Sequence, residues 1–279
     1  MKKIQSIALT ALLGVVTVLG VSACESDDIN SIISEFFEDD QPVSESVETV
    51  ETIEPTIQSG DAESITWTPE IAPDYFVVTG NADINFDVEE GDFFYCNLDQ
   101  LGRAGCAVSM MTTETREEAK SADRKDIGSF SPTGWGHNEE VEIVSANPAV
   151  EGNYRGWFYN RSHMIADSLG GDAALENLVT GTRPQNVGNR NNQGGMAYTE
   201  GIARDYLDSP DAIGCPLYYA VEAQYDGDDL LPKTTTVDMK VIEQDGQSCN
   251  TDIDMHVIVF NEANGFVVNH STGEFSPAK

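Results

Sequence analysis

The chain has 279 residues and a formal net charge of -33, with 15 Lys and Arg against 48 Asp and Glu. Such a balance argues against a surface that holds polyanions by bulk attraction. It leaves room for recognition confined to a few local cations.

The first 24 residues read as a targeting segment. Lys2 and Lys3 precede an apolar and small-residue run from Ile7 to Ala23, too short and badly flanked for a mature membrane span. The run ends in Val21-Ser22-Ala23-Cys24, which resembles a bacterial lipobox with Cys24 as the diacylated first residue of the mature protein. An ordinary cleaved signal peptide is the alternative. Two acyl chains would anchor durably, because each buried methylene adds about 0.8 kcal/mol. The expected location is the extracellular side of a bacterial membrane.

Residues 24–73 are rich in Asp, Glu, Ser, Thr and Pro, and no Lys or Arg occurs between Lys3 and Arg103. This segment cannot bury enough apolar surface to offset its ordering entropy, so it reads as a self-repelling, extended tether. Residues 74–279 are long enough for one domain with a real core. From Arg103 onward the thirteen remaining basic residues leave this part at about -20.

Phe76-Val77-Val78, Phe86-Asp87-Val88 and Cys106 to Met110 read as strands, followed by a helix over Thr113 to Lys125. Leu217 to Tyr225, Thr235 to Ile242 and Met255 to Phe260 form a second strand block, with Asp226-Gly227-Asp228-Asp229 as a turn. The fold class is α+β, largely antiparallel. If Cys24 carries lipid, four cysteines remain in an exported chain, and sequence order suggests Cys96 with Cys106 and Cys215 with Cys249. A zinc site is the alternative, but no CxxC or clustered Cys and His spacing supports it.

Gly156-Trp157-Phe158-Tyr159 reads as a strand delivering Asn160, Arg161, Ser162 and His163 to its end. A histidine titrates near neutrality and can take a proton from water. Downstream lie Glu176-Asn177-Leu178, then Arg183-Pro184-Gln185-Asn186, then an Asn-rich run, then Met196 to Arg204. Neutral amide oxygens suit a hard, hydrated cation such as magnesium. At about 100° per residue, Met196, Ala203 and Leu207 form one helical stripe with Glu200 and Arg204 on its flank, while Asp205 points away.

As a set, Asn160-Arg161-Ser162-His163, Glu176-Asn177-Leu178, Asn186, Glu200 and Arg204 resemble the DNA/RNA non-specific endonucleases of the ββα-metal, or His-Me finger, class, particularly the secreted streptococcal-type DNases. Leu98 to Arg103 and Ser131 to Trp135 also match in kind. The resemblance implies a ββα-metal core and hydrolysis of DNA, or RNA, without sequence specificity. His163 would be the general base and Asn186 the protein ligand to Mg2+, with Mn2+ as a substitute. Asn177 would orient the loop. Glu200 would hold metal-bound waters, and Arg204 and Arg161 would neutralise charge in the transition state. Arg124 is a further candidate phosphate contact. A neutral His163 implies activity rising through about pH 6 to 7, and few phosphate contacts imply a shallow salt dependence.

The family's commoner motif has Asp where Asn160 stands and Gly where Ser162 stands, so the first position has no assigned role. His137, His256 and His270 lack comparable surroundings and read as surface or strand residues. A non-catalytic DNA-binding lipoprotein on the same scaffold, or a nuclease toxin, are the rival readings. No obligate protein partner is inferred.

Overall fold

The computed structural model describes residues 65–243 and 248–279. The expectations for the targeting segment, for lipidation and for the tether as far as residue 64 lie outside the described residues.

Strand alternation sets the architecture. The strands are β1 (Phe76–Gly80), β2 (Phe93–Tyr95), β3 (Cys106–Met111), β4 (Glu140–Ile143), β5 (Tyr154–Trp157) and β6 (Tyr159–His163) in the first half. In the second half come β7 (Leu178–Thr182), β8 (Leu217–Gln224), β9 (Thr234–Val241), β10 (Asp254–Phe260), β11 (Phe266–Asn269) and β12 (Glu274–Pro277). The largest sheet runs β1-β10-β9-β8-β3-β2, and its neighbours are antiparallel. Three further hairpins pair β4 with β5, β6 with β7, and β11 with β12. The fold is the expected α+β one.

Period two gives that sheet two unlike faces. On one face Leu217, Tyr219 and Val221 of β8 join Val237 and Met239 of β9 and Val257 and Val259 of β10 in the main core. Against them pack Met164 and Ile165 just beyond β6, Val179 of β7, and the buried stripe Met196, Ala203 and Leu207 of a twelve-residue helix. Burying side chains of this size stabilises by about 1.5–3 kcal/mol each, which is what holds the β6–β7 hairpin to the sheet. The other face carries Tyr218, Ala220, Asp238, His256, Ile258 and Phe260.

Irregular chain covers that second face and corrects two expectations. Residues 65–73, assigned above to the tether, pack here: Trp67 stacks on Tyr75 and donates its Nε1 to the Ala72 carbonyl at 3.0 Å. Phe86 and Val88 pack against Val108, Tyr218 and Ala220, but they belong to no strand. Carboxylates take that segment's amides in place of a ladder: Ala82 N–H donates to Asp254 at 2.9 Å and Asp83 N–H to Asp238 at 2.8 Å.

Three helices complete the domain. The first, α1 (Thr113–Ser121), starts on a capping box between Thr112 and Thr115 and stops four residues short of Lys125. After β7 come α2 (Arg183–Val187), with Thr182 as its cap, and α3 (Met196–Leu207). Both disulfides join the cysteines that sequence order suggested, Cys96 with Cys106 and Cys215 with Cys249. Among the described residues no helix is long and apolar enough to cross a membrane.

The close approach of α2 and α3 rests on Gly195. Its φ of +55° is one that L side chains rarely adopt, and an added Cβ would lie 2.2 Å from the Gln185 carbonyl and 2.4 Å from that of Pro184. Gly195→Ala should therefore cost at least about 2 kcal/mol, from strain and overpacking together. Denaturant titration beside Gly80→Ala, whose added Cβ meets nothing within 4 Å, checks this; equal midpoints for the two variants would refute it.

Candidate active site

His163 stands at the end of β6, opposite Leu178 of β7. The expected single strand from Gly156 is broken at Phe158, which turns into a separate cluster and stacks on Phe275 with ring centroids 3.7 Å apart. Asn138 clamps the restart, accepting from Tyr159 N–H at 2.8 Å and donating to the Tyr159 carbonyl at 2.9 Å. Beyond His163 one more in-register bond forms, from Met164 N–H to the Asn177 carbonyl at 2.9 Å, and the buried backbone after it needs other partners. Asn177, wholly buried, supplies them. Its Oδ1 accepts from Ile165 N–H, and its Nδ2 donates to the carbonyls of Ile165 and Asp172, each at 2.9 Å.

Asn186 projects from α2 and is joined to the residue beside the histidine: Ser162 donates its hydroxyl to the Asn186 Oδ1 at 3.0 Å. Alternation places Asn160 and Ser162 on that side of β6, with Arg161 and His163 on the other. Asn160 Oδ1 is buried and has no hydrogen-bond partner among the described residues.

Glu200 and Arg204 lie on the flank of α3, as the stripe predicts, with Nη1 3.4 Å from the carboxylate. The same Nη1 donates to Ser168 Oγ at 3.2 Å, which sets α3 beside the turn following His163. Burial pushes the Glu200 carboxyl above the usual carboxylate range, against the opposing pull of Arg204.

Arg161 is held apart from that pair. Its Nε donates to the Phe130 carbonyl at 2.5 Å, and its guanidinium lies over Trp135, 4.2 Å from the ring centroid. These contacts occupy Nε and one face of the guanidinium. The exposed Arg124 and its neighbour Lys125 lie near enough to His163 to disfavour its protonation. The larger influence is burial, which pulls the imidazole below its ordinary value of 6.5; Asp167 opposes both. The Nε2 of His163 is buried and has no hydrogen-bond partner among the described residues. Of the other histidines, His137 is exposed, His256 lies in β10 and His270 is buried, its Nε2 3.2 Å from the Asn261 carbonyl.

Asp167, Ser168 and Lys125 escaped the sequence reading. Lys125 fastens the turn by donating to the carbonyls of Gly170 and Gly171 and to Asp172, at 3.0 to 3.1 Å. Nothing in its local sequence distinguishes it from a solvated lysine.

No hydrogen bond joins His163 to Asn186 or Glu200 among the described residues. The amide oxygen of the partly exposed Asn186 is a donor of the type that suits a hard divalent cation. A different group whose atoms converge, Asp83, Asp238 and His256, lies on the second sheet face. There Asp238 Oδ1 accepts from the Asp83 backbone N–H at 2.8 Å and lies 2.7 Å from His256 Nδ1.

Residues 128–243 match the DNA/RNA non-specific endonuclease family. A curated deoxyribonuclease from Streptococcus dysgalactiae subsp. equisimilis is 30% identical over 211 residues, which cover 67% of this chain but only 61% of the relative. Among solved structures, the Sda1 nuclease with bound zinc ion is similar with a TM-score of 0.66 at 27% identity, over 76% of this chain and 100% of the other. NucA from Streptococcus agalactiae, solved with magnesium, is similar with a TM-score of 0.49 at 22% identity, over 71% of this chain and 83% of that one. The chain therefore carries a domain of the DNA/RNA non-specific endonuclease family.

Proposed function

We propose that this protein is a metal-dependent endonuclease that hydrolyses phosphodiester bonds of DNA, or RNA, without sequence specificity. The observation that carries the reading is His163: a neutral imidazole with an unpartnered Nε2, fixed at a strand end whose neighbouring residue is tied to Asn186. A buried polar atom left unpaired costs about 1–3 kcal/mol unless a ligand or water meets it, and a nitrogen that can take a proton is the member of that group with chemistry to offer.

In this reading His163 takes a proton from a water at Nε2, and the resulting hydroxide attacks phosphorus as the opposite P–O bond breaks. Asn186 would hold a divalent cation through Oδ1, with magnesium as the fitting ion. When bound, that cation supplies positive charge to the phosphoryl oxygens and to the leaving oxygen. Glu200 would orient the waters of such a cation. Arg204, steadied by Ser168 and Glu200, and Arg161, steadied by Trp135 and Phe130, neutralise charge that builds on the phosphoryl group. Asn177 keeps the His163 turn in place without touching substrate. From residues 1–24 we infer secretion and anchoring through a lipidated Cys24.

Incubation of the purified protein with plasmid and with single-stranded DNA, in magnesium or in chelator, tests the activity. Cleavage only with metal is expected, and binding without cleavage would reject the reading. His163→Ala should lower kcat by about 10²–10⁴, the contribution of a positioned base, with partial rescue by imidazole. Asn186→Ala should be comparably impaired and show no rescue; an unaffected His163→Ala would sink the assignment.

The acid limb of the pH profile has a defined direction. Because burial lowers the His163 pKa, the imidazole stays neutral, and competent as a base, down to a pH below 6.5. The midpoint of log(kcat/KM) should accordingly fall on the acid side of that value and disappear in His163→Ala. A midpoint above 7 would contradict it.

A further inference from the structure

We propose that Arg183, over the Tyr154 ring, and Arg190, in the cavity that Tyr154 lines, form a phosphate-binding subsite that holds the nucleic-acid strand beside Asn186. The inference rests on the endonuclease reading and names surface that the reading leaves unassigned.

The starting point is scarcity. Thirteen basic residues serve the chain from Arg103 onward, and eight of them, Arg103, Arg116, Lys120, Lys125, Arg155, Arg204, Lys233 and Lys240, sit in ion pairs with Asp or Glu. In so acidic a protein that is the expected fate of a cation. Among the described residues Arg124, Arg161, Arg183, Arg190 and Lys279 have no such pair. Lys279 is the last residue. Three of the other four are close in sequence to the two halves of the site, Arg161 two before His163, Arg183 three before Asn186 and Arg190 four after it, and Arg124, distant in sequence, acts on His163 through space.

Arg183 and Arg190 converge on one place. Arg183 opens α2, where its guanidinium lies 5.0 Å from the Tyr154 ring centroid and Nη2 donates to Asn192 Oδ1 at 2.8 Å. Arg190 lies against Gly152, so closely that a Cβ there would meet its Nη1 at 2.4 Å. It lines, with Gly152, Asn153, Tyr154, Glu142 and Arg155, a cavity of about 610 Å³ at the base of the β4–β5 hairpin. Arg155 is the paired member, its Nη2 3.0 Å from Glu142, so the uncompensated charge here belongs to Arg183 and Arg190. A guanidinium stacked on an aromatic ring and steadied by an amide keeps its remaining N–H groups in a fixed fork, the geometry that matches phosphate oxygens. Anionic side chains could have neutralised these two residues as they did eight others. Leaving them unpaired keeps positive potential where a strand leaving Asn186 would pass, and it reconciles an acidic surface with a polyanionic substrate.

The test uses the intact chain carrying Arg183→Gln and Arg190→Gln, singly and together, with Lys240→Gln on the far sheet face as control. Kd for a fluorescein-labelled single-stranded oligonucleotide is read by anisotropy in chelator over a range of NaCl concentrations, and KM and kcat are read with magnesium. Each arginine substitution should raise Kd and KM several-fold, with the loss falling on KM rather than kcat. Each should also make the slope of log K against log [salt] shallower by about 0.7, while Lys240→Gln leaves the slope unchanged. Unchanged KM and slope in folded variants overturn the subsite, as does a lower melting temperature with the slope intact, the sign of a purely structural arginine. If the double variant fails to fold, the exposed Arg190→Gln alone decides on the same criteria. Arginine-dependent binding by a wild-type protein that never cleaves would remove the endonuclease reading and keep the subsite.

Discussion

Buried backbone that belongs to no ladder must still be hydrogen-bonded, and in this domain buried asparagine side chains meet that demand around the site. Asn177 holds the turn after His163 through three bonds of 2.9 Å. Asn261, equally buried, accepts from Thr182 N–H at 2.7 Å and donates to the carbonyls of Thr180 and Pro232, tying the β6–β7 hairpin to the end of the large sheet. Asn189 binds Ala146 N–H and Ser145 on one side and Pro73 and Asp74 on the other. A carboxamide suits this work because it donates and accepts from one planar group without carrying charge into the interior. The irregular segments around His163 are thereby pinned by side-chain hydrogen bonds where no ladder reaches.

That rigidity bears on how so acidic a chain can handle nucleic acid. A net charge of -33 lowers the local concentration of a polyanion, so affinity has to come from a few correctly placed groups rather than from a basic field. Arg161 on Trp135 and Arg183 on Tyr154 are placed in that way, each on an aromatic face and neither beside a carboxylate. Arg204, by contrast, is paired with Glu200 and held by Ser168. Arg161 and Arg183 thus differ from Arg204 in what steadies them, an aromatic face rather than a carboxylate.

The large sheet keeps two ionisable groups of similar chemistry apart. Its first face supports His163 and α3. Its second face carries Asp83, Asp238 and His256, where the Asp238 carboxylate holds the imidazole above its ordinary proton affinity. One histidine is kept neutral by burial and the other is biased toward its charged form by a hydrogen-bonded carboxylate, as their neighbourhoods require.

Much of this was legible in the linear chain. Alternation in Leu217 to Tyr225 and Met255 to Phe260 and the stripe of Met196, Ala203 and Leu207 follow from local periodicity, and the structure keeps them; the grouping of His163 with Asn177, Asn186, Glu200 and Arg204 came from the motif resemblance and belongs to the proposed function. The disulfide partners followed from order along the chain. The strand expected at Phe86 was lost because carboxylates from distant strands, Asp238 and Asp254, captured the amides of its approach. The end of the tether was misplaced because Trp67 finds Tyr75 and Ala72 only once the chain folds back. Asp167, Ser168, Lys125 and the convergence of Arg183 with Arg190 on Tyr154 were likewise decided by tertiary structure. By itself the sequence determined the strongly alternating strands, the striped helix and which residue types could do chemistry. Which charges remain unpaired was decided only by folding, because an ion pair depends on proximity in space between residues whose separation along the chain carries no periodic signal.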